Sequence, residues 1–235
     1  MYLEGEIKLK ILFWDIDGTL IKTGKAGLFA FEQATAEIWS KTVDFSQIKT
    51  AGMTDYSIAA EIIEVVAGRP ARAAEVVRLA ERYEQLLAEH LAQREGIVLP
   101  SIREILDRAH STDEYKSLLL TGNSRIGAEL KMRKFGLDHY FDFDSSAFCN
   151  RHHTRDEVAA IALAYMRSQV GEPVSAFVIG DTPNDIRCGK DIGAYTIGVA
   201  TGGYPLAKLE NCSPWWAVER LPSANAFFDK LKTVE

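Results

Sequence analysis

Three short apolar runs along the chain each end abruptly at a group of polar residues. Residues 8–14 lead into Asp-Ile-Asp-Gly, residues 118–120 into Thr-Gly-Asn, and residues 176–179 into Gly-Asp-Thr-Pro. Continuous apolar runs of this length are typical of strands buried on both faces, as in a parallel sheet. The pattern therefore predicts an open parallel α/β sheet, in which ligands bind outside the carboxyl ends of the strands.

Segments with helical periodicity connect these predicted strands. They lie at residues 125–135, 155–167 and 184–192. Each is long enough to contribute to a crossover between parallel strands. Further along, the pattern predicts a strand at residues 194–199 and a terminal helix at 224–231, with Trp215 and Trp216 as candidates for an edge strand.

The stretch between the first and second apolar runs is far too long for a single crossover. It contains three helical patterns, at residues 27–39, 55–67 and 71–94, and the last is rich in good helix formers. Gly and Pro near residues 96–100 mark a hinge. We therefore predict a helical cap, residues 21–95, inserted into a core made of residues 1–20 and 96–235.

Composition and charge exclude several classes of function. The chain has 235 residues and a net charge of −6, without a dense stripe of Lys and Arg, so we expect no nucleic-acid partner. No apolar run approaches the roughly 20 residues of a membrane-spanning helix. The N-terminus lacks the apolar segment of a signal peptide, and the three cysteines lack metal or redox spacing. We therefore expect a cytoplasmic protein without a membrane partner.

The first polar group offers a pair of carboxylates. Asp15 and Asp17 flank one residue at the end of the first predicted strand, directly before Gly18. Because the chain must turn at Gly18, both carboxyl groups can point into one crevice. Such a pair suits a hard cation, or a nucleophile beside a general acid and base. Taken alone, the same segment would fit a solvated turn equally well.

Polar groups at the other two predicted strand ends add to this pair. Asp181 and Asp185 lie four residues apart where the third strand meets a helix, and Thr121 ends the second strand. Gly122 and Asn123 can expose backbone N–H groups. Simpler roles are open to some of these residues, because Asp185 can serve the helix dipole and a hydroxyl can cap a helix. Compatible chemistry at all three strand ends indicates a single site.

These segments resemble motifs one, two and four of the haloacid dehalogenase-like hydrolase superfamily. The matching stretches are residues 15–20 (DIDGTL), 120–123 (LTGN) and 180–185 (GDTPND). The resemblance spans nearly the whole chain and is strongest to the phosphoglycolate-phosphatase-like branch. It implies a Rossmann-like α/β core with an inserted α-helical cap. It also implies a phosphatase, a monomer or a homodimer, that acts on a small phosphorylated metabolite.

The resemblance also implies roles for the carboxylates. Asp15 would be the nucleophile that forms an aspartyl phosphate, and Asp17 would protonate the leaving oxygen and then activate water. Mg²⁺ would be held by the carboxylates of Asp15 and Asp181 and by the backbone carbonyl of Asp17. Such a cation offsets the repulsion between a carboxylate and a phosphate dianion, and Mg²⁺ needs only one or two protein carboxylates.

The same resemblance assigns the groups around the phosphate and the metal. Thr121, with Gly122 and Asn123, would bind phosphoryl oxygens. Asp185 would not bind the metal directly but would hold the metal-binding residues in position.

The sequence departs from the family where a Lys is usual, ahead of the helix that precedes motif four. No Lys is present there, and Arg155 lies at about the family's distance from Asp181. We predict that Arg155 supplies the phosphate-binding cation, because a guanidinium can bind phosphate through two hydrogen bonds. Arg151 is the competing candidate. His152 and His153 lack the spacing of zinc ligands and are expected in a loop.

Two segments of the predicted cap, residues 24–27 and 52–55, resemble the hinge and the substrate-facing loop of the branch. Lys25 is a candidate for contact with an anionic substrate, and Thr54 and Asp55 are candidates for substrate contact. Each has an alternative, since an exposed Lys needs no function and Thr54 or Asp55 can cap the following helix.

Three other functions stay open. A sugar phosphomutase of the beta-phosphoglucomutase type shares the core, the cap and both aspartates of motif one. A dehalogenase or a phosphonatase is disfavoured by Asp17, because motif one of these enzymes lacks the second Asp. A non-catalytic phosphometabolite-binding module is the third, although no catalytic acid is missing. We favour Mg²⁺-dependent hydrolysis of a phosphomonoester, whose identity the sequence leaves open.

Overall fold

The computed structural model describes residues 9–151, 154–169 and 175–234. Its strands are β1 (Lys10–Trp14), β2 (Ile21–Lys22), β3 (Ile97–Val98), β4 (Tyr115–Ser124), β5 (Ala147–Cys149), β6 (Ser175–Gly180), β7 (Tyr195–Val199) and β8 (Trp216–Val218). All but β2 and β3 form one parallel sheet with the strand order β5-β4-β1-β6-β7-β8. The three strands first predicted from the apolar runs are therefore direct neighbours, and their carboxyl ends meet at one edge.

Helices cover both faces of the sheet. They are α1 (Ala26–Trp39), α2 (Asp55–Ala67), α3 (Ala73–Gln93), α4 (Ile102–His110), α5 (Arg125–Lys134), α6 (Arg155–Ser168), α7 (Pro183–Asp191), α8 (Leu206–Glu210) and α9 (Ala224–Leu231). Because successive side chains of a strand point to opposite faces, β1 contributes to two buried layers. Ile11 and Phe13 belong to the layer that contains α6 and α7, and Leu12 and Trp14 to the layer that contains α4 and α9.

Helices α1 to α3 form an insert between β1 and the rest of the sheet, and we call this segment the helical insert. The antiparallel pair of β2 and β3 joins its two ends to the core. Within the insert, α1 packs along α3, and the rings of Phe31 and Tyr83 stack at 3.9 Å. Burial of such apolar surface is the main stabilising contribution to the packing of these helices.

The prediction of a parallel α/β sheet with an inserted group of helices is confirmed. The predicted edge strand near the two tryptophans corresponds to β8, which begins at Trp216 and lies at one edge of the sheet. The division into a core and a cap at residues 20/21 and 95/96 stays a prediction. Within the described residues, no helix combines the length and the apolar composition needed to span a membrane.

Candidate active site

The predicted site residues meet where β1, β4 and β6 end. Asp15 directly follows β1, and its backbone N–H donates to the carbonyl of Ile179 in β6 at 2.9 Å. Gly18 has a φ of 90°, in the left-handed region, so the chain turns back immediately after Asp17. A Cβ atom at Gly18 would lie 2.6 Å from Oδ2 of Asp181. The turn therefore packs its backbone directly against the carboxylate of motif four.

Three buried carboxylates form the centre of the site. Asp15, Asp181 and Asp185 each offer an oxygen atom, and these atoms all lie within 4.8 Å of one another. Burial, followed by repulsion from Asp185, raises the pKa of Asp15 well above its usual range and that of Asp181 to about 7. Buried oxygen donors crowded in this way fit a hard divalent cation such as Mg²⁺, whose charge favours their ionised forms.

Asp185 is held by the protein on both of its oxygens. Oδ1 accepts a hydrogen bond from Arg155, and Oδ2 accepts from the backbone N–H (3.0 Å) and the hydroxyl (2.7 Å) of Thr182. The contacts with Thr182 form a capping box at the start of α7. Asp185 thus stabilises the helix start and also belongs to the carboxylate group. The oxygens of Asp15 and Asp181 accept fewer hydrogen bonds, so these two carboxylates have more lone pairs available for a cation.

Arg155 lies beside these carboxylates at the start of α6 and is only 6% exposed. Its guanidinium forms an ion pair with Asp185, and Nη1 lies 3.8 Å from Oδ1 of Asp15. Burial opposes its charge, but attraction to Asp185 and Asp15 outweighs burial and raises the pKa of Arg155 above its usual range. The structure therefore brings a fixed positive charge to Asp15.

Arg151, the competing candidate for this cation, lies at the surface. It pairs with Glu81 of α3, and its side chain is 63% exposed. A pair of this kind joins the helical insert to the core without reaching the carboxylates. His152 and His153 lie outside the described residues.

Asp17 lies apart from the buried carboxylates, with its half-exposed side chain at the wall of the cavity described below. Its Oδ2 accepts hydrogen bonds from Nζ of Lys131 at 2.5 Å and from Nδ2 of Asn123 at 3.0 Å. Nζ of Lys131 also donates to Oδ1 of Asn123 at 2.5 Å. Asn123 thus contacts Asp17 and Lys131, and Lys131 was not among the residues predicted from the sequence.

Thr121 is fully buried near the end of β4, which continues beyond the predicted end to Ser124. Its hydroxyl oxygen accepts hydrogen bonds from the backbone N–H (3.3 Å) and from Nδ2 (2.9 Å) of Asn123. The hydroxyl proton is therefore available for another acceptor. Helix capping, the alternative role considered for Thr121, is performed by Ser124, whose hydroxyl accepts from the backbone N–H of Gly127 at 3.1 Å.

The loop that precedes α2 closes over the core. A Cβ atom at Gly122 would lie 2.2 Å from the carbonyl oxygen of Met53, so backbone from the insert rests directly on backbone from the core. On the other side of the site, Nδ2 of Asn184 donates to the carbonyl of Gly52 at 2.7 Å. These contacts place the loop over the carboxyl ends of β4 and β6.

The three residues predicted to face a substrate have different positions. Thr54 is buried and caps α2, with its hydroxyl accepting from the backbone N–H of Ser57 at 3.0 Å, as in the capping alternative. Asp55 lines the cavity and accepts from the backbone N–H of Ser124 at 2.8 Å, and burial raises the pKa of Asp55 to about 6. Lys25 is exposed and also lines the cavity.

A cavity of about 540 Å³ lies between the insert and the carboxyl ends of the strands. Its polar wall belongs mainly to the core and includes Asp15, Asp17, Asn123, Lys131, Arg155 and Asp181. Its apolar wall comes mainly from the insert and includes Leu28, Phe31, Met53, Ile58 and Tyr83. A ligand that combines an anionic group with a small organic portion suits these two walls.

The comparison with protein families agrees with this geometry. A family model described as haloacid dehalogenase-like hydrolase matches residues 12–190, well over half of the chain. The chain belongs to the haloacid dehalogenase-like hydrolases. The predicted family is therefore confirmed, and the matched stretch contains every candidate residue of the site.

Relatives of this hydrolase cover nearly its whole length. A phosphoglycolate phosphatase of Vibrio cholerae is 21% identical over 209 residues, which cover 86% of this chain and 90% of that protein. A family IA hydrolase structure from Entamoeba histolytica has a TM-score of 0.73 at 17% identity, covering 95% of this chain and 99% of the other. A Bacteroides vulgatus structure described as a beta-phosphoglucomutase has a TM-score of 0.69 at 17% identity, covering 97% and 91%. At these identities, the two structures show a shared fold.

Two site features of this hydrolase were not singled out from the sequence. Gly202 packs so closely on the site that a Cβ atom there would lie 1.6 Å from Oδ2 of Asp181. Lys131 is a buried charged residue in α5, three positions after the buried Ala128 and hence on the inward face of the helix. A lysine at an inward-facing helix position was the available signal, because a buried ammonium needs a partner.

Proposed function

We propose that the hydrolase cleaves a small phosphomonoester by transferring its phosphoryl group to Asp15 and then to water. The main support is the position of the Asp15 carboxylate, which lies beside Asp181 and Arg155 and borders the cavity. A carboxylate nucleophile divides one difficult displacement into two easier ones through a covalent intermediate.

The charges around Asp15 suit the approach of a phosphate dianion. Nη2 of Arg155 is paired with Asp185, whereas Nη1 lies 3.8 Å from the Asp15 carboxylate and is placed to donate to a phosphoryl oxygen. The carboxylates of Asp15 and Asp181 and the backbone carbonyl of Asp17 would hold Mg²⁺, which would supply further positive charge against the repulsion between carboxylate and phosphate. Arg155 and Asp185 keep these groups fixed, so little reorganisation is needed during the reaction.

Asp17 is proposed to act as the general acid and then as the general base. It protonates the leaving oxygen while the phosphoryl group moves to Asp15, and later takes a proton from the water that attacks the aspartyl phosphate. Its half-exposed side chain at the cavity wall supports this role. The hydroxyl of Thr121 and the backbone N–H of Gly122 are proposed to bind phosphoryl oxygens. The backbone N–H of Asn123 is proposed to do the same, in place of its long 3.3 Å hydrogen bond to Thr121.

The helical insert is proposed to act as a cap that shuts out water and positions the leaving group. A cavity of about 540 Å³ suits a small metabolite. Phosphoglycolate is one candidate, because the relative from Vibrio cholerae carries the name phosphoglycolate phosphatase. Sugar phosphates and nucleoside monophosphates are the others.

A sugar phosphomutase is the second candidate function. The structural neighbour described as a beta-phosphoglucomutase shares the fold, and both Asp15 and Asp17 suit either reaction. A phosphomutase returns the phosphoryl group to a second hydroxyl of the sugar, whereas a phosphatase passes it to water.

A panel of phosphorylated metabolites tests the proposal. We expect inorganic phosphate to be released from at least one of them in the presence of Mg²⁺, and release to be lost in Asp15→Asn. Conversion of a sugar phosphate to its isomer without net release of phosphate would favour the phosphomutase. Binding of a metabolite with neither release nor transfer would favour a non-catalytic module and overturn the proposal.

A further inference from the structure

A lysine is buried beside the carboxylate that faces the cavity. The side chain of Lys131 is 5% exposed, and its ammonium lies 2.5 Å from Oδ2 of Asp17 and 2.5 Å from Oδ1 of Asn123. Burial opposes its charged form, but attraction to Asp17 and Asp55 outweighs burial and keeps the pKa of Lys131 above its usual range. A buried charged group is retained at a cost in stability, so the position of Lys131 at the cavity wall calls for an explanation.

Both contacts that hold Asp17 fall on the same oxygen. Oδ2 receives Nζ of Lys131 at 2.5 Å and Nδ2 of Asn123 at 3.0 Å. Within the described part of the chain, Oδ1 of Asp17 has no hydrogen-bond partner. A carboxylate held by two donors at one oxygen is restricted in rotation, and its other oxygen is left for a group in the cavity.

We propose that Lys131 is a positioning residue that, together with Asn123, orients Asp17 so that Oδ1 meets the leaving group. This inference rests on the proposed function. In the first step, the bond between phosphorus and the leaving oxygen breaks, the phosphoryl group bonds to Asp15, and the leaving oxygen takes a proton from Oδ1. In the second step, Oδ1 takes a proton from water as that water bonds to phosphorus and releases Asp15.

The dependence of rate on the leaving group separates this role from a merely structural one. An alkoxide is a poor leaving group and needs its proton as the bond breaks, whereas p-nitrophenolate leaves with little assistance. Loss of orientation at Asp17 should therefore slow an alkyl phosphate more than an aryl phosphate. Loss of packing alone would reduce the amount of active enzyme and so lower the rates with both substrates by the same factor. The ratio of the two rates would then stay unchanged.

The experiment compares kcat/KM for an alkyl phosphomonoester from the metabolite panel with kcat/KM for p-nitrophenyl phosphate. We expect the alkyl-to-aryl ratio to fall about 10-fold or more in Lys131→Met, since general acid–base catalysis typically contributes about 10²–10⁴-fold. Lys131→Arg, which keeps a charged donor, should recover part of the ratio. Lys134→Met is the matched control, because Lys134 lies exposed on the same helix and should leave the ratio unchanged.

An unchanged ratio in a folded Lys131→Met variant would overturn the inference while leaving the proposed function in place. Absence of phosphate release by the wild-type protein from every substrate would instead overturn the proposed function and this inference with it. If Lys131→Met does not fold, Lys131→Gln, which keeps a polar terminus, is judged by the same ratio.

Discussion

Replacement of Arg155 tests the cation at the position where the family usually has a lysine. Arg155→Ala removes a buried guanidinium that pairs with Asp185 and lies 3.8 Å from Asp15. Removal of one partner from a buried ion pair typically costs about 3–5 kcal/mol, because the other charge is left without compensation. For a chain of this size, that cost corresponds to a fall in Tm of roughly 6–20 °C. We expect this destabilisation together with a severe loss of turnover.

Two matched variants separate the contribution of the site from that of charge in general. Arg151→Ala breaks an exposed ion pair with Glu81, and such pairs contribute only about 0–1 kcal/mol, so its Tm and turnover should change little. Arg155→Lys keeps the charge without the planar fork and should recover part of both losses. Tm is measured by circular dichroism in metal-free buffer, and turnover by phosphate release well below the lowest Tm.

Two results would contradict the roles assigned to Arg155. A Tm for Arg155→Ala equal to that of the wild type would refute the buried ion pair. A larger loss of turnover in Arg151→Ala than in Arg155→Ala would refute the assignment of the phosphate-binding cation.

Four further predictions concern the metal, the aspartates and the loop. Phosphate release should stop after exhaustive chelation and return with Mg²⁺ or Mn²⁺, but poorly with Ca²⁺, which prefers a larger and more flexible coordination shell. In phosphate-release assays, Asp15→Asn should be inactive because an amide is not a nucleophile, and Asp17→Asn should be slowed about 10²–10⁴-fold. Folding raises the pKa of Asp181 from 3.8 to about 7, so its contribution to stability is fully present below pH 3.8 and is lost as the pH rises to 7. The contribution of Asp181 to the Tm of the metal-free protein, measured as the difference from Asp181→Asn, should therefore fall over this range, and Mg²⁺ should raise the wild-type Tm at the upper end. Replacement of residues 52–55 should change relative rates among substrates more than the requirement for Mg²⁺.

Each of these predictions can be contradicted by one observation. Turnover that survives chelation would exclude the metal site, and near-wild-type rates in either Asn variant would exclude the aspartyl-phosphate mechanism. A Tm that does not respond to pH or Mg²⁺ would show that the carboxylates are not crowded in solution. If replacement of the loop changed the rates with all substrates by the same factor, the loop would not select among substrates.

Much of the fold was predictable because its signals are local. Strands β1 and β6 are nearly continuous apolar runs that stop directly before Asp15 and Asp181, so sequence alone places both residues at the edge of a sheet. The spacing of Ile102, Ile105 and Leu106 is also local and helical. Helix α4, which was not predicted, could therefore have been found from these residues.

The remaining features of the site depend on contacts between distant parts of the chain. Lys131 and Asp17 are separated by 114 residues, and only the packing of α5 against the sheet brings them together. Likewise, the sequence alone does not show whether Arg155, at the start of α6, or Arg151, four residues before it, reaches the carboxylates. Periodicity cannot decide this, because the helix begins only at Arg155.

At Gly122 the core and the helical insert approach each other so closely that no side chain fits. A Cβ atom there would lie 2.2 Å from the carbonyl oxygen of Met53. Because this contact involves backbone on both sides, mutations that change the side chains of the insert leave it intact. Side chains of the insert that line the cavity can therefore vary without loosening this joint between the insert and the core. A single added methyl group at residue 122, by contrast, would hold the two parts of the molecule apart and open the carboxylates at the strand ends to bulk water.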